Sequence, residues 1–343
     1  MAKILIIRFS AIGDVAMSIP VIDSFARQYP QHQIMVLSRS NMAHLFDYLP
    51  PNVVFRGVDI KNNYKGLSGL NRLYNELKDE TFEYVADFHD VIRSKFLRWR
   101  FKLNGKKIAH IDKGRKGKKE LVRIKNKKKI QQPTSFQRYA DVLEQLGFPV
   151  KIDFRSIFQQ GKGDLSAFSS IIEEKGNNRW IGIAPFAAHV GKIYPLEKME
   201  KVVSLLAAYP NFRVFLFGGG KNEIEILRIW SNKYPSVNCI AGLFTMKEEL
   251  ALMSHLDLMV SMDSGNMHLA SLVGTPVISI WGATHPFAGF MGWHQSESNA
   301  IQENLPCRPC SIYGKKSCIR GDYACLNQIQ PQNVLRHILH LLK

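Results

Sequence analysis

No stretch of about 18 apolar residues occurs in this 343-residue chain, so no helix that crosses a bilayer is expected. Cysteine is scarce: there are five, an odd number for a chain this long, which argues against a secreted scaffold stapled by disulfides. The amino terminus places Lys3 and Arg8 around a short apolar run that reads as a strand, too short for the core of a signal peptide. A cytoplasmic protein is therefore expected. No G-x-G-x-x-G is present, and Gly218-Gly219-Gly220-Lys221 lacks both the spacing and the hydroxyl residue of a Walker loop, so neither standard nucleotide fingerprint is supported. Acidic residues are few in one place only. Net charge is +17, yet residues 93–129 hold seventeen Lys/Arg against two acids, and the rest of the chain sums to +2.

A hydrophobic fraction of 45% can supply cores for two domains of roughly 150 residues each. The alternation of apolar runs with helical periodicity is that of a parallel α/β protein. Strands are expected near 3–9, 33–38, 52–56, 84–88, 107–111, 179–184, 212–217, 258–262 and 276–281. Helices are expected at 14–28, 68–79, 137–146, 197–208, 222–232, 247–255 and 332–342, with Pro20 a bend or break in the first. The most informative stretch is 258–281. A strand ending at Ser261 runs into Asp263-Ser264-Gly265, a helix pattern opens with Met267, His268 and Ala270, and Gly274-Thr275-Pro276 leads into a second strand. A short acid, a hydroxyl, a glycine and helix amides at the carboxyl end of a parallel strand face the crevice where such sheets bind ligands. Asp263 and Ser264 also suit plain N-caps, and His268 a core histidine. Asp14, after the turn Ser10-Ala11-Ile12-Gly13, occupies the equivalent place at the first strand.

Together these pieces resemble glycosyltransferase family 9, the bacterial heptosyltransferases of the lipopolysaccharide inner core. The matching residues are 4–20 with their Gly13-Asp14, the loop Lys192-Ile193-Tyr194-Pro195, the turn 217–223, and Asp263 to Ala270 followed by Trp281-Gly282-Ala283-Thr284-His285-Pro286. The resemblance implies the GT-B fold, two facing Rossmann-like domains with mainly parallel sheets. An acceptor-binding domain is expected over 1–160, with the carboxy-terminal helix able to pack back on it, and a donor-binding domain over 161–343. The join is expected at residues 159–163 by their Gly, Gln and Lys content.

The resemblance further implies inverting transfer of heptose from ADP-heptose to an inner-core acceptor, without a required cofactor. Asp14 is then the base that takes the acceptor hydroxyl's proton, with a helix cap as its alternative reading. Lys192, Glu223, Asp263, Ser264, Gly265 and His268 would bind the donor: Lys192 the diphosphate, Asp263 the sugar hydroxyls. Glu223 also suits a purely local role at a helix start. Arg93, Lys95 and Arg138 would bind the acceptor. Two places depart from the family pattern: Ala187-Ala188-His189-Val190 lacks hydroxyls before the lysine, and Gln137 precedes Arg138 where the family often has a histidine-containing pattern.

The basic segment 93–129 falls in the expected acceptor domain, interleaved with Phe96, Trp99 and Phe101. It suits an anionic lipid-linked saccharide acceptor and an anionic membrane surface, hence a peripheral enzyme at the inner face of the inner membrane. Its Gly-Lys stretch is expected to be mobile. No nucleic acid is expected as partner, although a non-catalytic basic nucleotide- or RNA-binding protein is the alternative from another class, and transfer of another activated sugar to a cell-surface glycan is the nearer one. Cys307, Cys310, Cys318 and Cys325 have a spacing that a structural zinc tolerates, and that buried thiols or facultative disulfides also explain.

Overall fold

The computed structural model describes residues 1–159 and 161–343. Gln160, in the middle of the expected join, lies outside the described residues. The chain divides into two compact units. One comprises Met1–Lys113 with Pro133–Ile157, and the other Gly114–Gln132 with Phe158–Lys343.

The first unit runs β1 (Lys3–Ile7), α1 (Ile12–Gln28), β2 (Gln33–Arg39), β3 (Val53–Val58), α2 (Gly66–Lys78), β4 (Tyr84–Asp87), α3 (Ile92–Leu103) and β5 (Lys107–His110). The chain then leaves this unit through α4 (Arg115–Leu121) and returns to it for α5 (Ser135–Gln145). All strand pairs are parallel, in the order β3-β2-β1-β4-β5. Ile4 to Ile7 are fully buried because helices cover both faces of the sheet, which is why the strand reads as a continuous apolar run. Leu5, Ile7, Leu37, Leu73, Leu77, Leu97 and Phe101 form one core layer. On α1, Phe25 meets Phe148, with ring centres 5.6 Å apart.

The helix expected to bend or break at Pro20 is one element from Ile12 to Gln28. Val15 to Ala26 are buried throughout, and that packing outweighs the one backbone hydrogen bond a proline removes.

The second unit runs β6 (Arg179–Ala184), α6 (Leu196–Ala207), β7 (Phe212–Leu216), α7 (Lys221–Lys233), β8 (Val237–Cys239), α8 (Met246–His255), β9 (Leu258–Met262), α9 (Gly265–Leu272), β10 (Val277–Trp281), β11 (Ala300–Gln302), α10 (Ala324–Asn327) and α11 (Pro331–Leu341). Its parallel sheet has the order β11-β10-β9-β6-β7-β8. In both sheets the strand order reverses beside the unit's first strand, at β1/β4 and at β6/β9, where α/β sheets open a crevice.

Three placements differ from expectation. The carboxy-terminal helix α11 packs on α6, with Val334 and Ile338 fully buried in the second unit's own core. Residues 114–132 group with the second unit, and the Gly-Lys stretch is a packed arm. Lys118 Nζ lies 4.4 Å over the Phe290 ring, and Lys127 Nζ donates to the carbonyls of Cys307 and Pro309 at 2.7 and 2.8 Å. Helix α3 lies where only a charge run was read, because its apolar residues fall on two opposite sides and leave no single stripe to see. The three-residue strands β8 and β11 are too short for periodicity to show. Among the described residues no helix is long and apolar enough to cross a membrane.

The packing of α11 has a measurable consequence. Ile338→Ala removes a fully buried side chain and should destabilise the second unit by about 2–4 kcal/mol. Urea unfolding followed by circular dichroism measures this; a loss below about 0.5 kcal/mol would contradict core placement.

Candidate active site

In the second unit, pairing of β6 with β9 sets Ala184 beside Ser261, so the loops after these strands emerge together. The loop after β6 carries Lys192 and the loop after β9 carries Asp263. Lys192 Nζ lies 2.9 Å from Asp263 Oδ2. The contact is a charge pair without hydrogen-bond geometry, since that oxygen makes no hydrogen bond. Asp263 is 4% exposed and Lys192 17%, so the lysine is the partner that reaches the surface. The loop that holds it is fixed from below: Tyr194 is fully buried, its hydroxyl donates to the Ile329 carbonyl at 2.9 Å, and its amide meets Met262 Sδ at 3.3 Å. The lysine stem lies over Gly314, which has φ +74°; a Cβ there would sit 2.5 Å from Lys192 Cγ.

Asp263 does not act as an N-cap. Ser264 occupies that position of α9, and its hydroxyl bonds Ser261 at 3.2 Å rather than a helix amide. The first amides of α9, beginning at Gly265, are thus left without a side-chain cap, as an anion site requires. His268 is buried one turn in. Glu223 lies at the carboxyl end of the neighbouring β7, where its Oε2 accepts the Gly219 amide at 2.8 Å. That bond shapes the Gly218–Gly220 turn and gives the local role weight. Next along, the loop after β10 is buttressed by Arg308, whose buried guanidinium donates to the carbonyls of Gly282 and Thr284. The Thr284 hydroxyl is buried there with no hydrogen bond from the described residues.

The first unit builds a second charged site at β1/β4. The register pairs Ile7 with Asp87, so Arg8 emerges beside Phe88 and donates to its carbonyl at 2.7 Å. The other side of the guanidinium lies 2.7 Å from Asp14 Oδ2. Asp14 is the third residue of α1, not its cap; Ala11 is the cap, and its amide donates to Asp14 Oδ2 at 3.1 Å. The Asp14 side chain is 35% exposed. Burial pulls the Arg8 guanidinium down, but Tyr139, Asp14 and Asp87 outweigh it and the charge is kept. His89 closes the group. Its Nδ1 accepts the Phe9 amide at 3.3 Å, and burial followed by the Arg8 charge pushes it down to about 3, so it is a neutral donor through Nε2. Lys113 and Arg93 also act on His89, which places them within electrostatic reach of the same group.

Arg93 and Lys95 are exposed on the first turn of α3, and Lys95 reaches Asp90 at 3.5 Å. Arg138 is different. It is buried and donates to the carbonyls of Asp112 and Pro133, tying the two points where the chain leaves and re-enters the first unit. Among the described residues no group of three or more His, Cys, Asp or Glu has metal-holding geometry. Burial raises the Cys310 thiol and pushes Cys325 up to about 11.

A model of glycosyltransferase family 9 (heptosyltransferase) matches residues 70–319, well over half the chain. The chain belongs to glycosyltransferase family 9. It is a glycosyltransferase of the heptosyltransferase family, and its two parallel α/β sheets match the GT-B heptosyltransferase structures. The lipopolysaccharide core heptosyltransferase OpsX of Haemophilus influenzae is 26% identical over 286 residues, covering 82% of this chain and 79% of that protein. A family 9 structure from Veillonella parvula superposes with a TM-score of 0.74 at 19% identity, over 99% of this chain and 97% of that one. The E. coli heptosyltransferase WaaC with ADP gives 0.68 at 17% identity, over 99% of both.

The family model begins at residue 70, so Asp14 and Arg8 stand outside it and rest on geometry. Sequence reading gives no role to Arg8, His89, Arg308 and Gly314, and has Thr284 only as part of the motif from Trp281 to Pro286. Only His89, a polar residue just past an apolar strand, carried a usable signal. The others depend on contacts distant in sequence.

His89 makes the first unit acid-sensitive. Its folded pKa of about 3 lies below the ordinary 6.5, so its contribution is fully present above pH 6.5 and is lost as pH falls toward 3. At pH 5 the loss should be about 2 kcal/mol. His89→Gln should remove that share of the pH dependence in denaturant melts at pH 7 and pH 5, and an unchanged difference between the two would count against a buried neutral imidazole.

Proposed function

We propose that this family 9 enzyme is an inverting heptosyltransferase that moves heptose from ADP-heptose to a lipopolysaccharide inner-core acceptor. The observation that carries the reading is the Lys192–Asp263 pair at the strand reversal of the second sheet, beside the uncapped start of α9. A diphosphate needs a cation and amide donors; a sugar needs an acceptor for its hydroxyls. The ADP in the WaaC structure and the activity named for OpsX support this donor and product class.

In this reading Lys192 meets the diphosphate and stabilises the charge that grows on it as the glycosidic bond to the nucleotide breaks. Without ligand, Asp263 compensates the lysine. With donor bound, the phosphates take over part of that role, and Asp263 is released to accept sugar hydroxyls. Ser264, Gly265, His268 and Glu223 line the same strand ends and complete the donor contacts.

Asp14 takes the proton of the acceptor hydroxyl as its oxygen attacks the anomeric carbon. A carboxylate suffices, because that hydroxyl becomes strongly acidic only as the new bond forms. Arg8 fixes the direction of the Asp14 carboxylate. His89, neutral, is a hydrogen-bond donor for an acceptor oxygen. Arg93 and Lys95 are exposed cations for the acceptor's carboxylates and phosphates, whereas Arg138 is committed to backbone carbonyls and organises the unit. A lipid-anchored acceptor makes this a peripheral enzyme of the inner face of the inner membrane.

Titration with a panel of nucleotide sugars tests the donor. ADP-heptose should bind in preference to UDP- and GDP-sugars, and the reverse order would overturn the assignment. Within that titration, Lys192→Ala should weaken ADP and ADP-heptose alike, while Asp263→Asn should weaken ADP-heptose more than ADP. Equal losses for both ligands in both variants would contradict the division of roles.

Asp14→Asn should lower kcat by about 10²–10⁴ with donor affinity nearly intact. Turnover close to that of the native enzyme would remove Asp14 as base. A variant that loses its folded signal instead would mark the Arg8–Asp14 pair as structural.

A further inference from the structure

Helix α3 has two apolar sides. Ser94, Leu97 and Phe101 face the core of the first unit and are buried. Ile92, Phe96, Trp99 and Leu103 are spaced i, i+4, i+7 and i+11, so they share the opposite face. Ile92 is 83% exposed, Trp99 55% and Leu103 66%; Phe96 between them is half-buried, packs against the unit's core and supports Trp99 with its ring centre 6.3 Å away. Scattered surface apolar residues are ordinary; an aligned stripe three turns long is not.

The cations of the helix flank this stripe. Arg93 and Arg100 lie along one edge, and Lys95 and Lys102 along the other, each pair seven residues apart. No Asp or Glu occurs in the helix. Arg100 is steadied over the Tyr74 ring at 4.3 Å. The fifth cation, Arg98, points inward and pairs with Asp87 at 3.1 Å and Asp90 at 3.3 Å. Those two bonds fix the rotation of α3 about its own axis and so decide which face is presented outward.

We infer that this outward face of α3 is the element that docks the enzyme on an anionic lipid bilayer, with Ile92, Trp99 and Leu103 inserted among the headgroups and Arg93, Lys95, Arg100 and Lys102 on the phosphates. An apolar stripe between two cationic rims matches a surface that is anionic outside and hydrocarbon just beneath. Trp suits that boundary because one end of the ring is apolar and the other can hydrogen-bond. Nucleic acid would use the cations but offers nothing to Ile92 and Leu103. A second copy of the same face would set four cations against four. The inference relocates the membrane contact from the Gly-Lys arm, where Lys118 and Lys127 are tied into the second unit, to a helix of the first. It deepens the lipid-anchored acceptor reading but is measured without donor or acceptor.

The test uses the full chain and vesicles of equal parts phosphatidylglycerol and phosphatidylcholine. Native protein should cosediment with them, its tryptophan emission should move to shorter wavelength, and neither should occur with phosphatidylcholine alone. Trp99→Phe should remove most of the emission shift while keeping most binding, because Trp180, Trp230 and Trp281 are buried and Trp293 is half-buried. The triple variant Ile92→Ser, Trp99→Ser, Leu103→Ser should lose at least about tenfold in vesicle partition. Its melting curve should match the native one, since all three side chains are exposed, and transfer to a deacylated, water-soluble acceptor should be unchanged. Undiminished vesicle binding by the triple variant overturns the inference. So does a light-scattering mass that falls from dimer to monomer in the variant, or native binding to RNA with none to anionic vesicles. Vesicle binding that persists when no heptosyl transfer is found would sink the proposed reaction alone.

Discussion

Parallel strands that reverse their order beside the first strand place the paired charged groups of both candidate sites. At such a reversal the connections leave in opposite directions, and the groups at the two strand ends are not covered by a crossover helix. In the first unit this exposes the ends of β1 and β4, and the register that pairs Ile7 with Asp87 brings Arg8, Asp14 and His89 together. In the second it exposes the ends of β6 and β9, and the register that pairs Ala184 with Ser261 does the same for Lys192 and Asp263. The same topology, used twice, makes one site with a carboxylate to the surface and another with an ammonium to the surface.

Charges in both units are kept at low dielectric by partners rather than by water. Asp87 has no exposure, yet it accepts the amides of His89 and Asp90 at 2.9 Å and pairs with Arg98. Arg308 is almost fully buried and spends its donors on the carbonyls that shape the Gly282–Thr284 loop. Losing one partner of such an arrangement is expected to cost several kcal/mol, because the other charge remains buried. These pairs therefore hold loops in position as well as holding charge. Asp14 and Lys192 each sit at the more exposed end of a pair.

The arm over residues 114–132 shows how a charge run misleads. Lysine has a long apolar stem, and Lys118 and Lys127 use it to pack while their ammonium groups find a ring face and two carbonyls. Burial accordingly lowers the Lys127 ammonium. The basic segment is two different things, a packed arm of the second unit and an amphipathic helix of the first.

Strand and helix alternation was legible in the amino-acid order because parallel strands buried on both faces read as unbroken apolar runs, as in β1, β6, β9 and β10. Asp263 was legible as well, since a short polar residue directly after such a run falls at a strand end whatever the packing, and Asp14 stood out as the acid after the turn that follows β1. Lys192, well past the end of β6, was marked only by the family resemblance. Helix α3, with apolar residues on two faces, and the three-residue strands β8 and β11 were not, because local periodicity has no signal there. The pairing of Lys192 with Asp263, the support of Asp14 by Arg8, the commitment of Arg138 to backbone carbonyls and the packing of α11 on α6 were decided by the tertiary structure alone. Each joins groups far apart in sequence whose meeting depends on strand register and helix rotation, and neither quantity is written in local pattern.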